Sequence, residues 1–106
     1  MPNGLTAILI SEMSTAQLTL PSDLRHGNAA ACLAQLQLQI RNSAETEVEI
    51  QAGQLSDFDS SALAVLLGCR REAESLTKTL KFKHFPAKLR ELATLYGVSE
   101  LLVESA

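Results

Sequence analysis

The sequence predicts an α/β domain: a mixed sheet of four to five strands with helices packed mainly on one face. Two patterns predict it. Short segments in which apolar and polar residues alternate take turns with longer segments whose apolar residues recur every three or four positions. The resulting order, ββαβαβα with a short closing segment, implies parallel strands joined by right-handed helical crossovers. Length agrees: 106 residues suit one domain, 1–106, with a core from about 5 to 103. A chain of this size buries roughly two thirds of its unfolded surface without staples.

Residues Thr6–Ser11 read as a short buried strand. Gln17–Leu20 is a second, Leu18 and Leu20 alternating with Gln17 and Thr19, near enough to the first for an antiparallel hairpin. Pro21-Ser22-Asp23 turns the chain. Asn28 suits an N-cap, and Ala29, Leu33, Leu36 and Ile40 follow at helical spacing, so a first helix is expected over 28–41. Thr46–Gln51 alternates Val48 and Ile50 with Glu47 and Glu49, a strand with one wet face. Residues 53–57 form a loop. Asp59 or Ser60 can cap a second helix, expected from Ser60 to about Ser75, with Leu63, Leu66, Leu67, Cys69, Ala73 and Leu76 on its apolar side. Thr79–Phe85 is a fourth strand. Pro86 sits where a third helix can start without wasting a donor, and Gly97 is its stop. Leu101-Leu102-Val103 closes the fold.

Composition narrows the function. Aromatics make up 4% of the chain, with no Trp, so the core must be aliphatic. A net charge of −3 argues against a general nucleic-acid binder, which needs a basic surface to displace counterions from phosphates. Cys32 and Cys69 are far apart, with no C-x-x-C or metal-ligand spacing, and read as buried free thiols in a reducing cytoplasm. The N-terminus lacks the basic region of a signal peptide, and its apolar run, Ala7–Ile10, is too short for one. No window approaches the roughly 20 apolar residues of a membrane span. The expectation is a soluble cytoplasmic protein that inserts in no membrane itself and serves one only by docking to another protein.

The chemistry concentrates in Leu55-Ser56-Asp57-Phe58-Asp59-Ser60-Ser61-Ala62-Leu63, at a strand–loop–helix junction. A helix start offers free N–H groups and a partial positive charge. It suits a carboxylate cap, an acceptor from a partner, or a phosphate on serine. From local chemistry alone the simpler account is favoured: Asp59 and Ser60 cap a helix and do nothing else, since Asp and Ser are common caps. Arg70 and Arg71, on the solvated side of the helix, either meet carboxylates of a partner or are simply hydrated. Lys78, Lys81, Lys83 and Lys88 flank Phe82 and Phe85 as a modest basic cluster, for anionic headgroups or for water. His26 and His84 are isolated, and no phosphate-binding glycine loop or nucleophile–base pair is found; no enzyme, metal or cofactor is expected.

The run Phe58-Asp59-Ser60-Ser61-Ala62-Leu63-Ala64-Val65-Leu66 resembles the signature of STAS domains, the family of anti-sigma-factor antagonists and sulfate-transporter C-terminal domains. The resemblance extends from about Gln17 to Leu102. It departs at Ala62, where the signature has Gly, and at Ser22-Asp23-Leu24-Arg25, a weak echo of the family's stretch after the second strand. Within the family the chain is similar to the small STAS subunit of Mla-type phospholipid-transporting ABC complexes, in length and in the run Leu92-Ala93-Thr94-Leu95-Tyr96-Gly97. The resemblance implies a STAS-type fold and a non-enzymatic accessory subunit at the inner membrane. Its partner would be the ABC transporter ATPase subunit, and through it the permease, in a complex that maintains outer-membrane lipid asymmetry. Ser60 would lie at the contact, flanked by Asp59 and Ser61. In sigma-regulatory relatives the matching serine is phosphorylated, which makes an anti-sigma-factor antagonist switched at Ser60 the alternative. A stand-alone ligand or nucleotide binder is a third reading.

Overall fold

The structure, a computed structural model, describes residues 15–104. Strand β1 spans Thr15–Thr19 and β2 Asp23–Leu24. Helix α1 covers His26–Asn42, β3 Glu47–Gln51 and β4 Asp57–Phe58. Helix α2 runs Ser61–Ser75, β5 Thr79–Lys83 and α3 Ala87–Leu95, before a 3₁₀ turn at Ser99–Leu101.

β3 lies between β1 and β5, parallel to both, with Val48 opposite Ala16 and Leu80, and Ile50 opposite Leu18 and Phe82. β2 and β4 form a separate two-stranded parallel ladder. The described sheet is thus three strands plus two, where one mixed sheet of four to five was expected. The difference comes from Ser22 and the segment after Leu55. The Ser22 carbonyl accepts from the Ser56 and Asp57 amides, both at 2.9 Å, and this draws a segment read as loop into strand pairing. The expected strand Thr6–Ser11, and with it the hairpin, lies outside the described residues.

One core fills the space between the helices and one face of the sheet. Leu20, Leu24, Ile40, Val48, Ile50, Val65, Leu66 and Leu89 are all buried to within 1% exposure, and each contributes about 1.5–3 kcal/mol by leaving water. The other face is polar and carries cross-strand pairs, Lys81 to Glu47 at 3.6 Å and Lys83 to Glu49 at 3.5 Å. Lys78 donates to the Ile40 and Ser43 carbonyls, at 2.8 and 2.6 Å, and so satisfies the end of α1. The lysines around β5 are therefore engaged with the protein's own acceptors and do not form a free basic patch.

Several boundaries move for local reasons. α1 starts two residues before Asn28, whose side chain serves from inside the first turn: Oδ1 accepts from the Arg25 amide at 2.7 Å, and Nδ2 donates to the Asp23 carbonyl at 2.7 Å. β5 stops at Lys83 because His84 adopts φ 62°, a left-handed conformation that ends strand pairing before Phe85. Gly97, at φ 72°, follows α3 in the left-handed conformation expected of its stop. Cys69 is buried, and burial pushes its thiol pKa up to about 12; Cys32, on α1, is only half-buried.

Candidate functional site

Asp59, Ser60 and Ser61 stand where β4 hands over to α2, and all three are half-buried. The Asp59 carboxylate spans two helix starts. Its Oδ1 accepts from the Ser61 amide at 2.8 Å, the first residue of α2, and its Oδ2 accepts from the His26 amide at 3.0 Å, the first residue of α1. Each amide is one that a helix leaves without an internal partner, and each end carries partial positive charge. The His26 amide and then the Ser61 amide hold the Asp59 pKa below the ordinary carboxylate value, aided by the Ser61 side chain. The capping role expected of Asp59 is present, and it extends to a helix 33 positions away.

The two serines differ. The Ser61 side chain hydrogen-bonds to Asp59. Ser60 takes the N-cap position with helical backbone angles, φ −64° and ψ −14°, and makes no side-chain cap bond. Among the described residues its hydroxyl has no hydrogen-bond partner. Every fully buried side-chain oxygen or nitrogen among those residues is satisfied, so the Ser60 oxygen must reach solvent. Ser60 thus holds the N-cap position through its backbone alone and leaves its hydroxyl available.

Asp59 also borders a surface hollow of about 390 Å³, lined by Asp23, Arg25, His26, Gly27 and Asn28. Arg25 grips Asp23 with two bonds, Nε to Oδ1 at 2.7 Å and an Nη to Oδ2 at 3.0 Å. That pair lowers the Asp23 pKa and raises that of Arg25. Reasoning from sequence did not place these residues at the site; the only signal was the echo at Ser22–Arg25. On the other side of Asp59, Lys88 of α3 lies over the Phe58 ring at 6.0 Å, a weak cation–π contact at an exposed position.

Arg70 and Arg71 are separated in role. Arg70 is half-buried and bonded along the helix to Glu74 at 3.2 Å. Arg71 is exposed and has no ion pair among the described residues. His26 and His84 are both exposed, and among the described residues no group of His, Cys, Asp and Glu is placed to hold a metal ion. No helix there is long and apolar enough to cross a membrane.

Solved structures share the fold, two of SpoIIAA among them. The anti-sigma factor antagonist SpoIIAA in its unphosphorylated form matches with a TM-score of 0.68 at 22% identity, over 87% of this chain and 80% of that one. The Bacillus cell fate determinant SpoIIAA in the phosphorylated form matches at 0.63 and 22%, over 88% and 84%. No curated protein matches. A family model described as "Mlab, STAS domain" covers residues 10–104, nearly the whole sequence. The parallel sheet, the helices and the Asp59-Ser60-Ser61 junction on which the resemblance rested are those of a chain that belongs to the STAS domain family.

Proposed function

We propose that this chain is a non-enzymatic accessory subunit that binds the ATPase of a phospholipid-transporting ABC complex through the Ser60 end of α2. On this reading it works in the cytoplasm, held at the inner membrane by its partner, and supports a transporter that maintains outer-membrane lipid asymmetry. The observation that carries the reading is the Ser60 hydroxyl: set at the start of α2, reaching solvent, and without a hydrogen bond among the described residues. A hydroxyl in that state can donate and accept without breaking native structure. The family description, with its Mlab name, supports the choice of partner. Asp59 and Ser61 hold the junction; Ser60 makes the contact.

The test is co-purification of the tagged chain with the ABC ATPase from the same cell. Ser60→Arg is expected to abolish recovery of the ATPase while leaving the domain folded by circular dichroism, with a melting temperature lowered by no more than a few degrees. Recovery of the ATPase undiminished by that substitution would remove Ser60 from the contact.

A second reading is favoured by one observation, the shared fold with SpoIIAA in both its unphosphorylated and phosphorylated forms. On it, Ser60 is the acceptor for a partner kinase and the chain an anti-sigma-factor antagonist. Intact mass measurement on protein taken from cells separates the two: a phosphate on Ser60, with a serine kinase in the pull-down, selects the second.

A further inference from the structure

The outward face of α2 carries a narrow stripe. Ser60, Ala64, Leu67 and Arg71 succeed one another at intervals of four, three and four, which places them along one side of the helix. The helical backbone angles of Ser60 bring it into the same register. Exposure follows: Ala64 and Arg71 are exposed and Ser60 and Leu67 half-buried, while Ala62, Leu63, Val65, Leu66 and Cys69 between them face the core. The stripe thus begins in an unbonded hydroxyl, continues over small and apolar side chains, and ends in a guanidinium. At 1.5 Å per residue its ends lie roughly 16 Å apart, about three helical turns.

Arg71 is unlike the other arginines. Arg25 is paired with Asp23, Arg41 with Glu72, Arg70 with Glu74 and Arg90 with Glu104. Among the described residues Arg71 alone of the arginines has no carboxylate. In a chain of net charge −3 an arginine left without an acid is a local charge that a partner can complement. The preceding residue is held to its own helix and offers no such handle.

Resting on the reading that Ser60 meets the ATPase, the geometry points to the α2 stripe as the seat of one ATPase helix with an apolar side and, about three turns from its contact with Ser60, a carboxylate that pairs with Arg71. Ala64 lets that helix approach closely, Leu67 supplies apolar contact, and Arg71 sets the direction in which the helix lies. The planar guanidinium can hold a carboxylate with two parallel bonds, which a lysine cannot reproduce.

The experiment measures the dissociation constant of the full chain for the purified ATPase of the same cell, by calorimetry at fixed salt. Arg71→Glu is expected to weaken binding at least about tenfold, Arg71→Lys less, and Arg70→Glu by under about threefold. The two Arg71 variants are expected to stay close to the melting temperature of the parent, and Arg70→Glu, which loses the pair with Glu74, to fall a few degrees below it. One Asp or Glu to Lys change on the ATPase is expected to restore affinity to Arg71→Glu. If Ser60→Arg abolishes binding while Arg71→Glu leaves it intact, the stripe is overturned and the Ser60 contact stands. Weakening that no acid-to-lysine change reverses overturns the carboxylate. If the parent chain does not bind the ATPase, both this inference and the function on which it rests fall.

Discussion

Helix α2 has two faces built on opposite rules. The inward face is close-packed: Ala62, Val65, Leu66, Cys69 and Ala73 are at most 1% exposed, and Gly68 admits the Leu33 side chain of α1 where a Cβ would come within 2.7 Å of it. The outward face is sparse. Among the described residues it has a hydroxyl at Ser60 without a hydrogen bond, an exposed Ala64, a half-buried Leu67 and an Arg71 without an ion pair. What the difference teaches is a division of labour within four turns of helix. Residues that hold the fold can be changed only at a cost in stability, while those on the outward face, where the proposed partner would dock, can be changed almost without one. Asp59 stands where the faces meet, since it fixes the start of α2 and thereby the position of Ser60.

The comparison is broken most severely from the inside. Leu66 is fully buried, and Leu66→Ala is expected to destabilise the domain by about 3 kcal/mol through lost transfer energy and the cavity left behind. In thermal denaturation followed by circular dichroism this lowers the melting temperature by more than about 10 °C. Affinity for the ATPase, corrected for the folded fraction, should not change. A loss of affinity larger than the unfolded fraction explains would show that the two faces are not independent.

A smaller break targets the contact between α1 and α2. Gly68→Val puts atoms where Leu33 already lies, and overpacking of this kind costs about 1–3 kcal/mol. Leu33→Ala vacates that space. The double substitution Gly68→Val with Leu33→Ala should therefore be more stable than the sum of the two single effects predicts, as urea denaturation of all four proteins can measure. Strict additivity would mean that Leu33 is not what makes glycine necessary at position 68.

The inward face was the legible half of α2. Its apolar residues recur at helical spacing, and that spacing together with the capping residues Asp59 and Ser60 located α2 to within one residue at its start. The strand cores at Val48, Ile50 and Phe82 were legible for the same reason. The β2–β4 ladder was not, because two residues per strand carry no periodicity, and what joins them is a carbonyl at Ser22 meeting amides more than thirty positions later. Asp59 illustrates the same limit. Its role toward Ser61 is readable from sequence, since aspartate before a helix commonly accepts from the first turn. Its bond to His26 depends on the ladder that brings the start of α1 alongside. The left-handed His84, which shortens β5, is not the glycine that would have marked such a conformation in the sequence.

Asp59→Asn acts at the boundary of the two faces. The amide keeps one oxygen acceptor but loses the charge that both helix starts favour, and the melting temperature should fall by roughly 4 to 8 °C, the scale of one lost cap in a chain of this size. Its acid dependence fixes the sign. The folded Asp59 pKa is depressed, so its contribution is present above the unfolded value, about 3.9, and is lost as pH falls through that value toward the folded one. Stability of the parent should therefore drop more steeply than that of Asp59→Asn as pH is lowered below about 4. Parallel curves would indicate that the charge is not what Asp59 contributes.

The smallest effects are expected where the sequence places two arginines side by side. Arg70→Ala removes an exposed bond to Glu74 along one helix, and such pairs contribute about 0.3–0.5 kcal/mol. Arg71→Ala removes no ion pair found among the described residues and should alter stability by no more than about 0.5 kcal/mol. Denaturation midpoints of the two variants should thus lie close together. That near-equality gives the pair its use, because it removes folding as an explanation for any difference in binding. Two neighbouring arginines of nearly equal weight in the isolated domain should then have unequal weight in the complex, with Arg71 dominant. Equal losses of affinity would assign the effect to general positive charge at this end of α2 and not to a carboxylate met at one position.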